Sequence, residues 1–455
     1  MKNAFLFIFL ACALQASPSD QERKNVLVII ADDLNDWIGC LGGHPQVRTP
    51  NIDRLAKRGL LFANAHVQAT YCGPSRVSFL SGRMPQTTGS RDMTPYSDFQ
   101  SLQNHPPFPH HFRRNGFTTF GGGKIFHQGT GKGADAECWD TVLSSGQNPG
   151  PKKMIHWKKK VWDWGPWPEQ DDQMGDFKLA QETAKMLRQK HDQPFLAVAG
   201  FRRPHVPLHV PQKWFDLYQV ENIILPNVPD DDLDDVPHPA MGLNSYAAPE
   251  HSVLVEQKLW SSLVQAYLAS ISFVDHCVGE ILDGLDNGPN RDSTIIVFFS
   301  DHGFHLGEKQ HWAKRTLWEE TTRIPMIIAG PGIRSGRRSN QPVGAIDIYP
   351  TLCDLLGVKA PNGLDGNSLQ PLLETGRPEW NHAAFTTFEP GDITVRTEHW
   401  RYIRHPDGKE ELYDHRSDPN EWTNLAGRKQ QAAKQVELAK LAKRWDRSSP
   451  TRQSK

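Results

Sequence analysis

The sequence predicts an α/β protein with a smaller antiparallel-sheet unit at its C-terminal end, and three observations carry that reading. Runs of β-branched and other apolar residues at 25–31, 195–200, 294–300 and 326–329 read as strands buried on both faces. Stretches of helical character at 51–59, 177–189 and 257–285 separate them, the alternation of an α/β sheet. Beyond about residue 375 come short strands at 383–388 and 393–404, a turn-rich segment at 414–424 and a basic helix at 430–447. The chain thus divides into a main domain over 24–374, a subdomain over 375–447 and a flexible tail over 448–455.

At the start, Lys2 precedes an apolar stretch at 4–13, with small residues at Ala11, Ala13, Ala16 and Ser17, the layout of an export signal over 1–17. The stretch is too short to span a bilayer. Leu10-Ala11-Cys12 leaves lipid attachment open beside simple cleavage, with Phe9 where such sites prefer Leu. The protein is therefore expected in the periplasm or outside the cell. The first strand ends directly in Asp32-Asp33. In Cys72-Gly73-Pro74-Ser75-Arg76, Pro74 suits the first turn of a helix, where its missing N–H costs nothing. That helix continues from Ser75 to Leu80 and stops at Ser81-Gly82. The long helix at 257–285 sets Leu259, Leu263, Tyr267, Ile271, Val274 and Val278 near helical period. The strand at 294–300 ends directly in Asp301-His302-Gly303.

Composition narrows the function. With 23% charged and 38% hydrophobic residues this is a globular chain, and a net charge of −1 argues against a general nucleic-acid binder. No later segment is apolar enough for an integral membrane anchor. Outside the signal and Cys72, four cysteines remain: Cys40, Cys138, Cys277 and Cys353. They could form disulfides in any of three pairings or stay free.

Ligands of open α/β sheets bind beyond the carboxyl ends of strands. Singly, Asp32, Asp33 and Asp301 read as turn formers or helix caps. Two such groups after two core strands would repel unless a cation lay between them, so Asp32, Asp33, Asp301 and His302 predict a metal site. Cys72, beside free N–H groups at a helix start and one turn from Arg76, sits in a natural anion site. The alternative is a buried structural cysteine next to a turn.

The C-x-P-S-R run resembles the signature of the formylglycine-dependent (type I) sulfatases. Further segments extend the likeness: Val47 to Ala56, Gly122-Gly123-Lys124-Ile125-Phe126-His127, and the block from Glu411-Leu412-Tyr413-Asp414 to Asn424-Leu425. Arg203-Pro204-His205-Val206-Pro207 and Trp312-Ala313-Lys314 resemble the iduronate-2-sulfatase-like branch. The resemblance implies an alkaline-phosphatase-like fold with a large mixed sheet. It also implies that a formylglycine-generating or equivalent maturation enzyme oxidises Cys72 to an aldehyde, whose hydrate is the nucleophile. It implies metal ligation by Asp32, Asp33, the group at Cys72, Asp301 and His302, with Ca²⁺ ahead of Mg²⁺, although an imidazole weakens a purely hard-cation argument. Catalytic roles fall on Cys72, Arg76, Lys124, His127, His205 and Lys314, with Lys124, His205 and Lys314 also binding substrate. One departure is that two residues separate Lys124 from His127 where many arylsulfatases have one.

The segment 152–168 interleaves five lysines with Trp157, Trp162, Trp164 and Trp167. These rings either stack on sugars or pack inward on the domain. With the Pro-His-x-Pro resemblance, the expected substrate is a sulfated saccharide. The rivals are a phosphodiester or phosphonate hydrolase of the same fold and a non-catalytic protein that binds sulfated glycans.

Overall fold

The computed structural model describes residues 24–128, 133–144, 146, 148–155, 161–237, 248–374 and 379–446. The export signal with Cys12, Trp157, three of the lysines beside it and the tail lie outside those residues. The main sheet takes strands β1 (Asn25–Asp32), β2 (Gly59–His66), β3 (Thr118–Gly123), β4 (Thr141–Val142), β5 (Phe195–Pro204), β6 (Thr294–Ser300), β7 (Arg323–Ala329), β8 (Arg337–Ser339) and β9 (Val343–Gly344). Their order is β8-β2-β7-β6-β1-β5-β3-β4, with β9 also on β2. Only β7 runs antiparallel to its neighbours, so the sheet is mixed.

Both faces of this sheet are covered, which is why its strands read as unbroken apolar runs. Along β1, Leu27, Ile29 and Ala31 enter one core while Val26, Val28 and Ile30 enter the other. The helices that matter are α1 (Pro50–Lys57), α2 (Cys72–Ser81), α3 (Gly175–Leu187), α4 (Trp260–Asp286), α5 (Ile348–Leu356) and α6 (Ala432–Ala442). α1, α3 and α4 pack in the first core, and α2 and α5 in the second.

Several boundaries differ from the sequence expectation. The helix expected at 51–59 ends at Lys57, because Gly59 opens β2 and a Cβ there would lie 2.1 Å from the Ile328 carbonyl oxygen. α4 starts at Trp260 rather than 257, since Lys258 turns the chain at φ 55° and a separate short helix, His251–Glu256, precedes it. The strand expected over 393–404 is a hairpin.

That hairpin belongs to a four-stranded antiparallel meander of β10 (Ala384–Thr386), β11 (Ile393–Arg396), β12 (Trp400–Arg404) and β13 (Glu410–Asp414). α6 packs on one face through Leu438 and Ala442. The other face meets the main body through Ile403 and Tyr413 against Leu317 and Trp318. At this joint Arg401, fully buried, pairs with Glu319 and Glu421 and donates to the Leu317 carbonyl at 3.0 Å. Arg396 adds a contact to Glu319 at 3.2 Å and one to His415 at 2.9 Å. Glu319, His415 and Glu421 are close enough to share a cation, but the two arginines already neutralise them.

Removing one member of such a network strands the opposite charge in the interior. Arg401→Met is therefore expected to cost about 3–5 kcal/mol of stability, read from denaturant unfolding of the full chain.

Candidate active site

Four parallel strands of the main sheet deliver the site to one edge. β1 ends at Asp32 and continues into Asp33, which adopts a left-handed φ of 66°. β3 leads into Lys124, β5 into His205, and β6 into Asp301 and His302. β1 lies between β5 and β6, so the groups gather around its end. Cys72 arrives on the loop after β2 and is the first residue of α2, which starts two residues before the expected Pro74 turn. Gly82, at φ 67°, ends that helix and returns its N–H to Ser78 O at 2.8 Å.

The side chains converge. Cys72 Sγ lies 3.1 Å from Lys314 Nζ, 3.2 Å from His302 Nε2, 3.5 Å from Asp32 Oδ1 and 3.7 Å from Lys124 Nζ. Lys124 pairs with Asp32, and Lys314 Nζ sits 2.6 Å from Asp33 Oδ1. Arg76 Nη2 lies 2.8 Å from Asp301 Oδ2 and 3.4 Å from Asp32 Oδ1, while Nη1 donates to the carbonyls of Lys124 and Ile125. His205 Nε2 stands 3.9 Å from Asp33 Oδ2 and keeps 14% of its side chain exposed, the widest opening in the group. Sequence-predicted His127 is set apart. It is half-buried on a neighbouring cavity with Arg76, Tyr96 and Phe126, and no described hydrogen bond links it to the cluster.

Burial and charge divide the ionisable groups. Burial raises the Asp32 carboxyl, but Lys124, His205, Arg76 and Lys314 outweigh it and hold Asp32 well below the usual range. At Asp33 burial wins over Lys314 and His302, pushing the carboxyl up to about 7. Burial also raises the Cys72 thiol against the pull of Lys124 and Lys314. It lowers His205 and His302, and it brings His127 to about 4, so these imidazoles are neutral. His302 Nδ1 meets the Gly303 carbonyl at 3.0 Å, which assigns the proton there and leaves Nε2 as a lone pair facing the carboxylates.

A divalent cation fits this donor set. Asp32, Asp33, Cys72 and His302 each offer an atom within 4.8 Å of the others. Asp33 Oδ2 is buried with no hydrogen-bond donor, an unmet demand that a cation would satisfy. Asp301, expected as a further ligand, turns Oδ2 to Arg76 and also lies 3.6 Å from His302 Nε2.

Sequence reading missed the groups that hold these loops. Ser75 Oγ donates to the Asp301 carbonyl at 2.5 Å, and Leu34 N–H donates to Ser300 Oγ at 3.0 Å. Asp176 on α3 accepts from the N–H groups of Arg202 and Arg203 at 3.0 and 2.9 Å, fixing the strand end before His205. The tryptophan-rich segment is corrected in part: Trp162 and Trp164 are each 1% exposed and belong to the core, and only Trp167 among the described rings faces solvent. Cys40, Cys138, Cys277 and Cys353 are all free, which settles the disulfide alternatives against any pairing. Among the described residues no helix is long and apolar enough to cross a membrane.

Comparison with known proteins agrees with this arrangement. The sulfatase family model matches residues 24–358, and the N-sulphoglucosamine sulphohydrolase C-terminal model matches residues 307–447. The chain belongs to the sulfatase family and is an enzyme that hydrolyses sulfate esters. It is 36% identical to a sulfatase of Formosa agariphila, over 99% of this chain and 94% of that one. It is 32% identical to human iduronate 2-sulfatase, over 75% of this chain and 70% of the other. Among solved structures, a 2-O GAG sulfatase superposes with a TM-score of 0.74 at 22% identity, covering 93% of this chain and 92% of its own. The phosphonate monoester hydrolase of Agrobacterium radiobacter also reaches 0.74, at 23% identity over 93% and 95% of the two chains. The fold is thus alkaline-phosphatase-like.

With the Asp33 carboxyl pushed up to about 7, a cation that bound this carboxylate would have to displace its proton. The apparent affinity of metal-free protein for a divalent cation is expected to weaken as pH falls through that value. Calorimetric titrations on either side of it check this, and equal affinities would contradict it.

Proposed function

We propose that this sulfatase removes sulfate from a sulfated saccharide, using a formylglycine made from Cys72 by a maturation enzyme and a divalent cation, Ca²⁺ ahead of Mg²⁺. The carrying observation is the convergence of Lys314, His302, Asp32 and Lys124 on Cys72 Sγ, within 3.1–3.7 Å, at the start of a buried helix. When present, the aldehyde supplies a hydrate whose one hydroxyl attacks sulfur and whose other drives sulfate off, and the cation supplies charge that favours the ionised oxygens. Asp32, Asp33, Asp301 and His302 would hold that cation.

The remaining work falls to residues in place. Arg76 and Lys124, each anchored to Asp32, fix positive charge beside position 72. Lys314 Nζ, at 3.1 Å from Sγ, faces both the nucleophile and the incoming sulfate. His205 is the most exposed side chain of the cluster, which places it to meet the leaving oxygen. Its imidazole is neutral in the free protein. A bound sulfate ester raises its basicity so that it takes up a proton from solvent on binding, and Lys314 beside it then favours passing that proton to the leaving oxygen. His127, beside Arg76 and within the field of Lys124 but not hydrogen-bonded to the cluster, takes the supporting role of receiving a proton during sulfate release.

Saccharide specificity is supported by the iduronate relative and by the His205 and Lys314 segments, both of which face Asp33. We further assign the catalytic domain to 24–374, the smaller subdomain to 375–447, and an exported location through the signal at 1–17. The test measures inorganic sulfate released from sulfated oligosaccharides and from nitrophenyl sulfate, and the phenol released from a matched nitrophenyl phosphonate ester. Preference for the oligosaccharide is expected. Exclusive phosphonate turnover would replace the reading with its rival of the same fold. Cys72→Ala is expected to lose about a millionfold in kcat, the scale on which a covalent nucleophile acts.

A further inference from the structure

We propose that Tyr267 is the positioning residue that sets the cation site, bracing the two strand-end loops that carry its carboxylate and imidazole ligands. The inference rests on the cation reading above. Tyr267 lies in the N-terminal third of α4, fully buried, in the stripe of the helix where any apolar ring would satisfy the core. Its hydroxyl is what the core does not require, since a buried hydroxyl costs stability unless it is bonded.

Both bonds of that hydroxyl go to one turn. It donates to the Asp33 carbonyl at 2.7 Å and accepts from the Asn35 N–H at 3.1 Å. The phenol thereby spans the turn whose residue Asp33 stands at φ 66°, a conformation that a non-glycine residue keeps only when its surroundings impose it. The ring serves the second loop. It stacks on Phe304, centroids 5.5 Å apart and planes 16° apart, two residues past His302. Asn35 Nδ2 closes the arrangement by donating to the Phe304 carbonyl at 3.0 Å. Trp37 packs edge-on to the same ring at 5.6 Å. Burial pushes the phenol well above its ordinary range, so it remains a donor at any working pH.

Tyr267 touches neither substrate nor reacting atoms and acts through the backbone. The test variant is Tyr267→Phe, which keeps the stack and removes the two bonds. Full-length metal-free protein is titrated with Ca²⁺ by calorimetry, and the rise in unfolding temperature at saturating Ca²⁺ is measured beside it. Ca²⁺ is expected to bind about 10–100-fold more weakly, with a smaller thermal rise. Tyr218→Phe is the control. Its hydroxyl is likewise buried against α4, near Ser272 Oγ at 2.7 Å and accepting from Arg48 N–H at 3.1 Å, but it serves no ligand loop. That variant is expected to keep wild-type Ca²⁺ affinity. Asn35→Ala, which unties the same two loops, is expected to weaken Ca²⁺ in the same direction and carries the test if Tyr267→Phe fails to fold. Wild-type affinity in Tyr267→Phe, or an equal loss in Tyr218→Phe, overturns the proposal. A wild-type protein that binds neither Ca²⁺ nor Mg²⁺ removes the cation reading itself, and this inference with it.

Discussion

Mutual neutralisation of Asp32, Asp33 and Asp301 by Arg76, Lys124 and Lys314 is the interaction on which the rest of the molecule depends. All six side chains are at most about one-twentieth exposed. A lone buried charge costs several kcal/mol, so none of the six is tolerable without the others. The balance is uneven at one point. Asp32 is surrounded by cations and stays ionised, whereas burial defeats the attraction at Asp33. That weak point, with Asp33 Oδ2 lacking a donor, is where an added cation gains most.

The scaffold around this balance is built to keep it in place. Lys314 sits between Ala313 and Arg315, at φ 70° and 75°, and Lys309 and Gln310 stand at 55° and 50°. So many left-handed non-glycine residues in one short loop require firm anchors. Lys309 supplies one by pairing with Asp232 at 2.6 Å, and the Arg401–Glu319–Glu421 network supplies another from the C-terminal sheet. The small sheet thereby anchors the loop that carries Lys314.

Much of this was legible in the sequence because the site uses local signals. Strands buried on both faces leave unbroken apolar runs, and the acidic residues directly after β1 and β6 mark the sheet edge. The Cys72 to Arg76 run carries its own helix-start chemistry. What was illegible depends on partners distant in sequence. Tyr267 reads as one more apolar residue of a helical stripe, and only its contacts with Asp33 and Asn35 reveal the hydroxyl's purpose. Trp162 and Trp164 looked equally suited to sugar and core, and the core at α4 took them, with Trp164 Nε1 bonded to Ser262. Ser75 stood inside the motif, yet its bond to the Asp301 carbonyl spans two loops and leaves no spacing to read.

The most direct test of the account is the mass of the peptide containing Cys72, from protein matured in its native host. A peptide about 18 Da lighter than the encoded one, the difference between thiol and aldehyde side chains, is the predicted result for a nucleophile of this kind. An unmodified thiol in protein that still releases sulfate at full rate would contradict the account, because the charge cluster would then serve some other nucleophile.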